Sequence, residues 1–389
     1  MNRNLVFKNL AVIYPRLSHP RLSGAPNGRG TTVALGVAAL LVLSAVTSTA
    51  EERDAVQPFL PTPVRSISTV PPNGDVNPYG VAFVPDDFTS SGGGMLHSGD
   101  ILVSNFNNSN NLQGTGTTIV RVPAKGKLSV FFETKAAVGL STALNVLKSG
   151  YVLVGNFPST DGTCATATAG SILVINAAGQ LVANVSDPSF INGPWDSAVL
   201  DEGGHVKLFI ANGLTGTVSR VNLVVGPGGP RVESATQIAS GYMHKCDPVT
   251  FVDAPTGLVY DPKNEELYVA STLDNKVFAI HEAAETHRDE GTGRVVYEDN
   301  KHLHGALGLA MAPNGHLLVS NNDAINPDPN QPSEIVEFTV DGKFVKELSV
   351  DPAPGGSFGL GAASDDDVAT FAAVDDNANT LMIWSLPLP

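Results

Sequence analysis

Cysteine is nearly missing from this chain: Cys164 and Cys246 are the only two in 389 residues. So few exclude a disulfide-scaffolded mini-protein and any zinc cluster built from paired Cys-x-x-Cys motifs. Charge is scarce as well, at 16% of residues, and aromatics reach only 6%. Coiled coils and charge-rich disordered chains have the opposite composition. Basic residues are the rarer sign, 23 against 38 acidic, for a formal charge of −15. Five of the 23 lie in residues 1–50, which hold no acidic residue, so residues 51–389 carry 18 basic against 38 acidic side chains. A body that acidic repels phosphate backbones and anionic lipid, which excludes nucleic acid and a membrane surface as partners. No Walker loop, His-Glu-x-x-His or Gly-x-Ser-x-Gly occurs. Phosphate cradling, zincin chemistry and the common serine-hydrolase arrangement therefore lack support.

Long apolar runs are absent with one exception. Residues 33–46 read VALGVAALLVLSAV, with Ser44 the one polar residue. Fourteen residues are short for a membrane span and suit a signal-peptide core. Basic residues precede the run, and Ser48-Thr49-Ala50 supplies small residues before a cut. The expectation is a secretory signal over 1–50, a linker over 51–62 and an exported domain over 63–389, secreted or periplasmic. An uncleaved anchor is the alternative. An oxidising compartment would allow Cys164 and Cys246 to bridge.

What the chain does have is 39 Gly, 27 Pro and 42% apolar residues. Many turn formers with little charge point to an all-β fold. A phrase then recurs: a small residue, an apolar run, a turn, and a second apolar run ending in Asn or a small residue. Its copies are NPYGVAFVP with GDILVSNFN, STALNVLKSG with YVLVGNFP, and GPWDSAVLDEGG with VKLFIANG. APTGLVYDPKN with EELYVAST, GALGLAMAPNG with HLLVSNND, and GSFGLGAAS with DVATFAAVDD complete the set. Two further β-rich runs follow most copies, with Lys-Gly, Ala-Gly and Asp-Gly pairs where hairpins need positive φ. Repeats of this size, each holding four antiparallel strands, predict a six-bladed β-propeller. The last copy runs out one strand early. PVRSISTVP, at 63–71, alternates in strand fashion and is expected to close the ring, removing the open sheet edges.

These repeats resemble NHL-type six-bladed propellers and, more distantly, the gluconolactonase and senescence-marker group. The resemblance implies fold more than activity. It also implies that inner strands line a central channel, and that loops between second and third strands and between blades share one face. On that register the channel mouth holds Tyr79, Thr142, Asp196, Thr256, Leu307 and Phe358. Asn105, Asn156, Asn212 and Asn321 end second strands. They read either as strand-exit turns or as a polar ring around a ligand, with Tyr79 and Thr256 beside them. Cys164 and Cys246 fall on two loops of the same face, which favours a bridge between them. His304 directly precedes an inner strand on that face; His281 and His287 sit on a charged insertion expected on the other.

The lactonase-like group holds a divalent cation with a Glu, two Asn and an Asp at the mouth. Asp196-Ser197-Ala198-Val199-Leu200-Asp201 matches the outline of its Asp-Gly-Met-Ala-x-Asp phrase. The resemblance thus implies Asp196, Asn156 and Asn212 as ligands of calcium, magnesium, manganese or zinc, Asp196 also as base, and His304 as an acid–base partner. Pro78-Tyr79-Gly80 stands where blade one would need its Glu. That departure tilts the reading to a binding or interaction module. It would act as a monomer on a polar small molecule, a carbohydrate or a protein, with no cofactor required. A metal-dependent hydrolase is the alternative.

Overall fold

The computed structural model describes residues 58–60, 65–89, 94–135, 138–364 and 368–387. The expected signal segment lies outside them, as does most of the expected linker. No helix among the described residues is long and apolar enough to cross a membrane.

Six four-stranded antiparallel sheets follow one another along the chain. Their inner strands are Val76–Phe83, Leu140–Val146, Pro194–Asp201, Pro255–Asp261, Ala306–Met311 and Ser357–Ser364. The repeat phrase therefore marks the first two strands of every blade. Hairpin turns fall where the dipeptides place them, with Gly126, Gly179 and Gly342 all at positive φ. Blade six has three strands of its own. Arg65–Ser68 pairs antiparallel with its last strand, Arg65 opposite Ile383 and Ser68 opposite Thr380. A short hairpin, Lys245–Asp247 with Phe251–Asp253, stands between blades three and four.

Every inner strand is bulged at the same level. In blade one, Pro78 pairs with Asn105 but Val81 with Val103, so one extra residue is accommodated. Blades three, four, five and six do the same between Pro194 and Ser197, Pro255 and Leu258, Ala306 and Leu309, and Ser357 and Leu360. Blade two takes up two extra residues between Leu140 and Leu144. A bulge bends a strand and re-aims its side chains. Here it brings main chain against main chain at the ring's narrowest point. A β-carbon on Gly359 would sit 1.7 Å from the Tyr79 carbonyl oxygen; one on Gly308, 2.3 Å from that of Phe358; one on Gly257, 2.3 Å from that of Leu307. The recurring small residue is thus a requirement of blade-to-blade contact.

Hydroxyls staple the same junctions. Ser104 Oγ accepts from Gly80 N and donates to Ser141 O at 2.8 Å in the next blade. Ser320 Oγ does likewise for Gly308 N and Phe358 O. Ser141 Oγ donates to Pro194 O, and Thr256 Oγ1 to Leu307 O.

Gly359→Ala is expected to destabilise the fold by about 3 kcal/mol or more, since backbone on both sides must move. Gly204→Ala, with open space around it, is expected to change stability by less than about 0.5 kcal/mol. Urea unfolding of both variants checks the contrast; equal effects would refute the packing argument.

Candidate functional site: a plugged mouth and an open channel well

The loops and strand ends of one face converge on aromatic side chains. Tyr79 stacks between Phe106, at 4.8 Å, and Phe358, at 4.7 Å. Trp195 meets Tyr79, Phe106 and Phe157 edge-on and stacks over Phe251 at 6.1 Å. All but Phe358 are at most 1% exposed, and Leu307 joins them. Such ring pairs add about 0.5–1.5 kcal/mol each beyond area burial. Phe251 joins the stack with a φ of +70°. That conformation costs a bulky residue about 1–3 kcal/mol, so local preference yields here to burial of the ring. The mouth expected to be polar is an aromatic plug.

Loops lock the plug from above. Cys164 and Cys246 form a disulfide, with Cα atoms 5.4 Å apart. Gln113 Nε2 donates to Val249 O at 3.0 Å, and Ser159 Oγ donates to Gln113 O. The loops after Asn105 and Asn156 and the hairpin over blade three are thereby tied to one another.

The expected site residues fall as follows. Tyr79 lies inside the plug, its hydroxyl held well above the ordinary value by burial and then by the nearby Asp376 charge. Thr256 is 1% exposed and spends its hydroxyl on neighbouring carbonyls. The asparagines serve their own turns and junctions. Asn105 Nδ2 donates to Thr69 O and Thr118 Oγ1. Asn156 Nδ2 donates to Ser171 Oγ. Asn212 Oδ1 accepts from Asn192 N, while its Nδ2 donates to Thr217 and Ser219. Asn321 Oδ1 accepts from His304 N, and its Nδ2 donates to His302 O and Glu334 Oε2. Asn105, Asn212 and Asn321 are buried and Asn156 half-buried, and through these bonds they anchor strand ends.

Asp196 and His304 are not partners. His304 is 3% exposed, its Nδ1 2.5 Å from Asn326 O and its Nε2 4.0 Å from Glu334 Oε1. Asp196 accepts from Ser197 N through Oδ1 and from Leu258 N, in blade four, through Oδ2. The structure also shifts blade three by one place. Pro194, Trp195 and Asp196 occupy the bulge positions of Pro78, Tyr79 and Gly80. Trp195, not Asp196, belongs in the mouth set. Asp196 replaces the junction glycine, and its carboxylate does by hydrogen bond what backbone contact does elsewhere.

Below the plug the channel opens toward the face where first and second strands turn. This well holds about 340 Å³ and is lined by Val81, Leu144, Asn145, Ser197, Leu258 and Met311, with Asp196 at its wall. Burial pushes the Asp196 carboxyl up to about 8, against the lowering effect of its two N–H partners. At neutral pH that shift favours its protonated form; the other ionisable group on the lining is Tyr260, whose hydroxyl burial also raises. His281 and His287 line a separate open cleft of about 960 Å³ with Glu266, Arg288 and Arg294.

The implied divalent cation does not fit these residues. Calcium seeks about six to eight oxygens. Both oxygens of Asp196 already accept N–H bonds, and the Asn212 amide is spent on Asn192, Thr217 and Ser219. Among the described residues, no three His, Cys, Asp or Glu side chains converge to hold a metal.

Two measurements follow from this geometry. Asp196 has a folded value of about 8 against an ordinary 3.8. Its contribution to stability is therefore full below pH ~4 and lost as pH rises through ~8. Glu334, also pushed up to about 8 by burial, acts in the same direction. The melting temperature is expected to fall between pH 5 and pH 9, and Asp196→Asn with Glu334→Gln to flatten that fall. An unchanged slope would refute it. Reducing the disulfide, which closes a separation of 82 residues, is expected to remove about 2–4 kcal/mol and lower the melting temperature by several degrees.

No protein-family profile matches the chain, and no curated protein matches it in sequence. Solved structures do match in fold. Regucalcin from Agrobacterium tumefaciens, a calcium-binding protein, aligns with TM-score 0.50 at 14% identity, over 82% of this chain and 94% of its own. A gluconolactonase from Xanthomonas campestris aligns with TM-score 0.48 at 14% identity, over 84% and 89%. A putative oxidoreductase (glucose dehydrogenase) from Thermus thermophilus aligns with TM-score 0.48 at 14% identity, over 82% and 99%. The chain is thus distantly similar to gluconolactonase- and regucalcin-like propellers, a likeness of fold.

Proposed function

We propose that this chain is an exported binding propeller whose ligand site is the channel well on the face opposite the aromatic plug. One observation carries the reading. The mouth, where the lactonase resemblance would place cation and substrate, is filled by Tyr79, Phe106, Phe157, Trp195, Phe251 and Phe358. The well behind it is concave and presents more polar than apolar surface, with Thr142, Asn145, Asp196 and Ser197 on its lining; a concave site with placed polar groups is where small molecules bind. With Asp196 neutral and Asn145 beside it, the well suits a small uncharged molecule carrying a hydrogen-bond acceptor. Export is supported by the signal-like run and by the disulfide.

A metal-assisted hydrolase is the second reading. It is favoured by the gluconolactonase and regucalcin names among the structural neighbours and by the position of Asp196 on the channel wall.

Trp195 adjoins Asp196 and reports on the well. Titration with neutral sugars, lactones and polyols is expected to change tryptophan emission saturably, and Ala198→Phe, which fills the well, to abolish the change. EDTA-treated protein is expected to show no shift in melting temperature with calcium, magnesium, manganese or zinc. A saturable cation shift that Asp196→Ala removes would overturn the binding reading in favour of the hydrolase.

A further inference from the structure

Residues 58–60, expected as part of a linker, are instead docked on blades five and six. The main-chain N–H of Phe59 donates to both oxygens of Glu337, at 2.7 and 2.8 Å, and that of Leu60 donates to Oε2 at 2.9 Å. Lys346 Nζ donates to Leu60 O at 2.7 Å from the other side. Leu60 is 2% exposed, in a cluster with Leu318, Ile335, Leu360, Phe371 and Trp384. The Phe59 ring meets Phe371 edge-on at 5.9 Å.

Glu337 is what makes this a recognition site and not a resting place. Its side chain is fully buried, on the third strand of blade five. His316 Nδ1 lies 2.6 Å from Oε1, and Asn314 Nδ2 donates to the same oxygen at 3.3 Å. Oε2 accepts from the peptide N–H groups of both Phe59 and Leu60. Charged hydrogen bonds of this kind are the strong ones. A buried carboxylate oxygen stripped of its donors is costly, so the socket demands an occupant. The occupant must be extended chain, since one carboxylate takes two successive N–H groups and a lysine takes the following carbonyl. It must carry an aromatic and then a leucine.

We propose that the Glu337 socket is a peptide-binding site specific for an extended aromatic–leucine segment, filled in cis by Phe59-Leu60, and that it clasps the N-terminal segment to the propeller before the chain pairs with blade six. This is independent of what the channel well binds.

Amide hydrogen exchange on the unaltered full chain is the first test. The Phe59 and Leu60 amides are expected to exchange at least about 100-fold more slowly than in a free peptide; exchange at the free-peptide rate would overturn the proposal. The second test vacates the socket with Phe59→Ala and Leu60→Ala together. This variant is expected to melt lower than the parent, to bind a labelled Val-Gln-Pro-Phe-Leu-Pro-Thr-Pro peptide saturably, and to regain melting temperature on binding. The parent, occupied in cis, is expected to bind the peptide at least about tenfold more weakly. Glu337→Gln in the vacated variant is expected to abolish capture. A folded variant that captures no peptide, or one that binds it equally well with Glu337→Gln, would overturn the site. Should the double variant not fold, Lys346→Ala in the full chain is expected to speed exchange at Leu60, and unchanged exchange would count against the clasp.

Discussion

At the bulges of blades four, five and six, main chain lies against main chain with no room for a β-carbon, and the ring is held at that level. Gly257, Gly308 and Gly359 face the carbonyls of Leu307, Phe358 and Tyr79 in the following blades. Ser104, Ser141, Thr256 and Ser320 add hydroxyl bonds across the junctions. Because sheets meet at the fixed distance of their backbones, the residue before each glycine is driven toward the axis. Thr256, Leu307 and Phe358 are those residues, Tyr79 precedes Gly80 in blade one, and Trp195 is their equivalent in blade three. The plug is therefore a consequence of the junctions: four large side chains aimed inward at one level leave no channel there.

Blade three departs from this pattern by one atom group. With Asp196 in the glycine position, its side chain enters the gap and its Oδ2 takes the Leu258 N–H at 2.9 Å. The same carboxyl lines the well. A group that holds two blades together is thus also the one carboxyl on the lining of the well. Its neutrality below about pH 8 comes from burial, and burial comes from the junction. Structure and candidate chemistry cannot be separated at this residue, which is why its substitution by Asn, preserving shape, is more informative than truncation.

Much of the architecture was legible because it repeats. The inner-strand phrase, the hairpin dipeptides and the short sixth blade all report on backbone geometry, which a periodic sequence states several times over. The disulfide was legible from topology, since Cys164 and Cys246 both fall on loops of one face. The site was harder because it depends on register. Counting from the turn places Asp196 in line with Tyr79, but the pairing of Pro194 with Asn212 puts Trp195 there, and one residue along a strand changes the face. The plug did leave a signal in Asn105-Phe106 and Asn156-Phe157, an aromatic directly after a strand-ending asparagine. Phe251 left none: its positive φ runs against the preference of a bulky residue. Nor did Glu337 and Phe59, which meet across 278 positions of sequence.

The two faces of the disc consequently differ in what they admit. On one, disulfide-tied loops cover an aromatic stack, and opening a path to the axis would mean separating rings that bury one another. On the other, strands turn tightly and the channel lies open to Asp196. A ligand that reaches the axis therefore enters by the second face, opposite to the one that the lactonase resemblance implies. Its charge is limited by what it meets. An anion finds no cation on the wall, and a cation finds a carboxyl whose two oxygens already accept N–H bonds. An uncharged molecule that can accept one hydrogen bond and cover apolar wall meets neither obstacle.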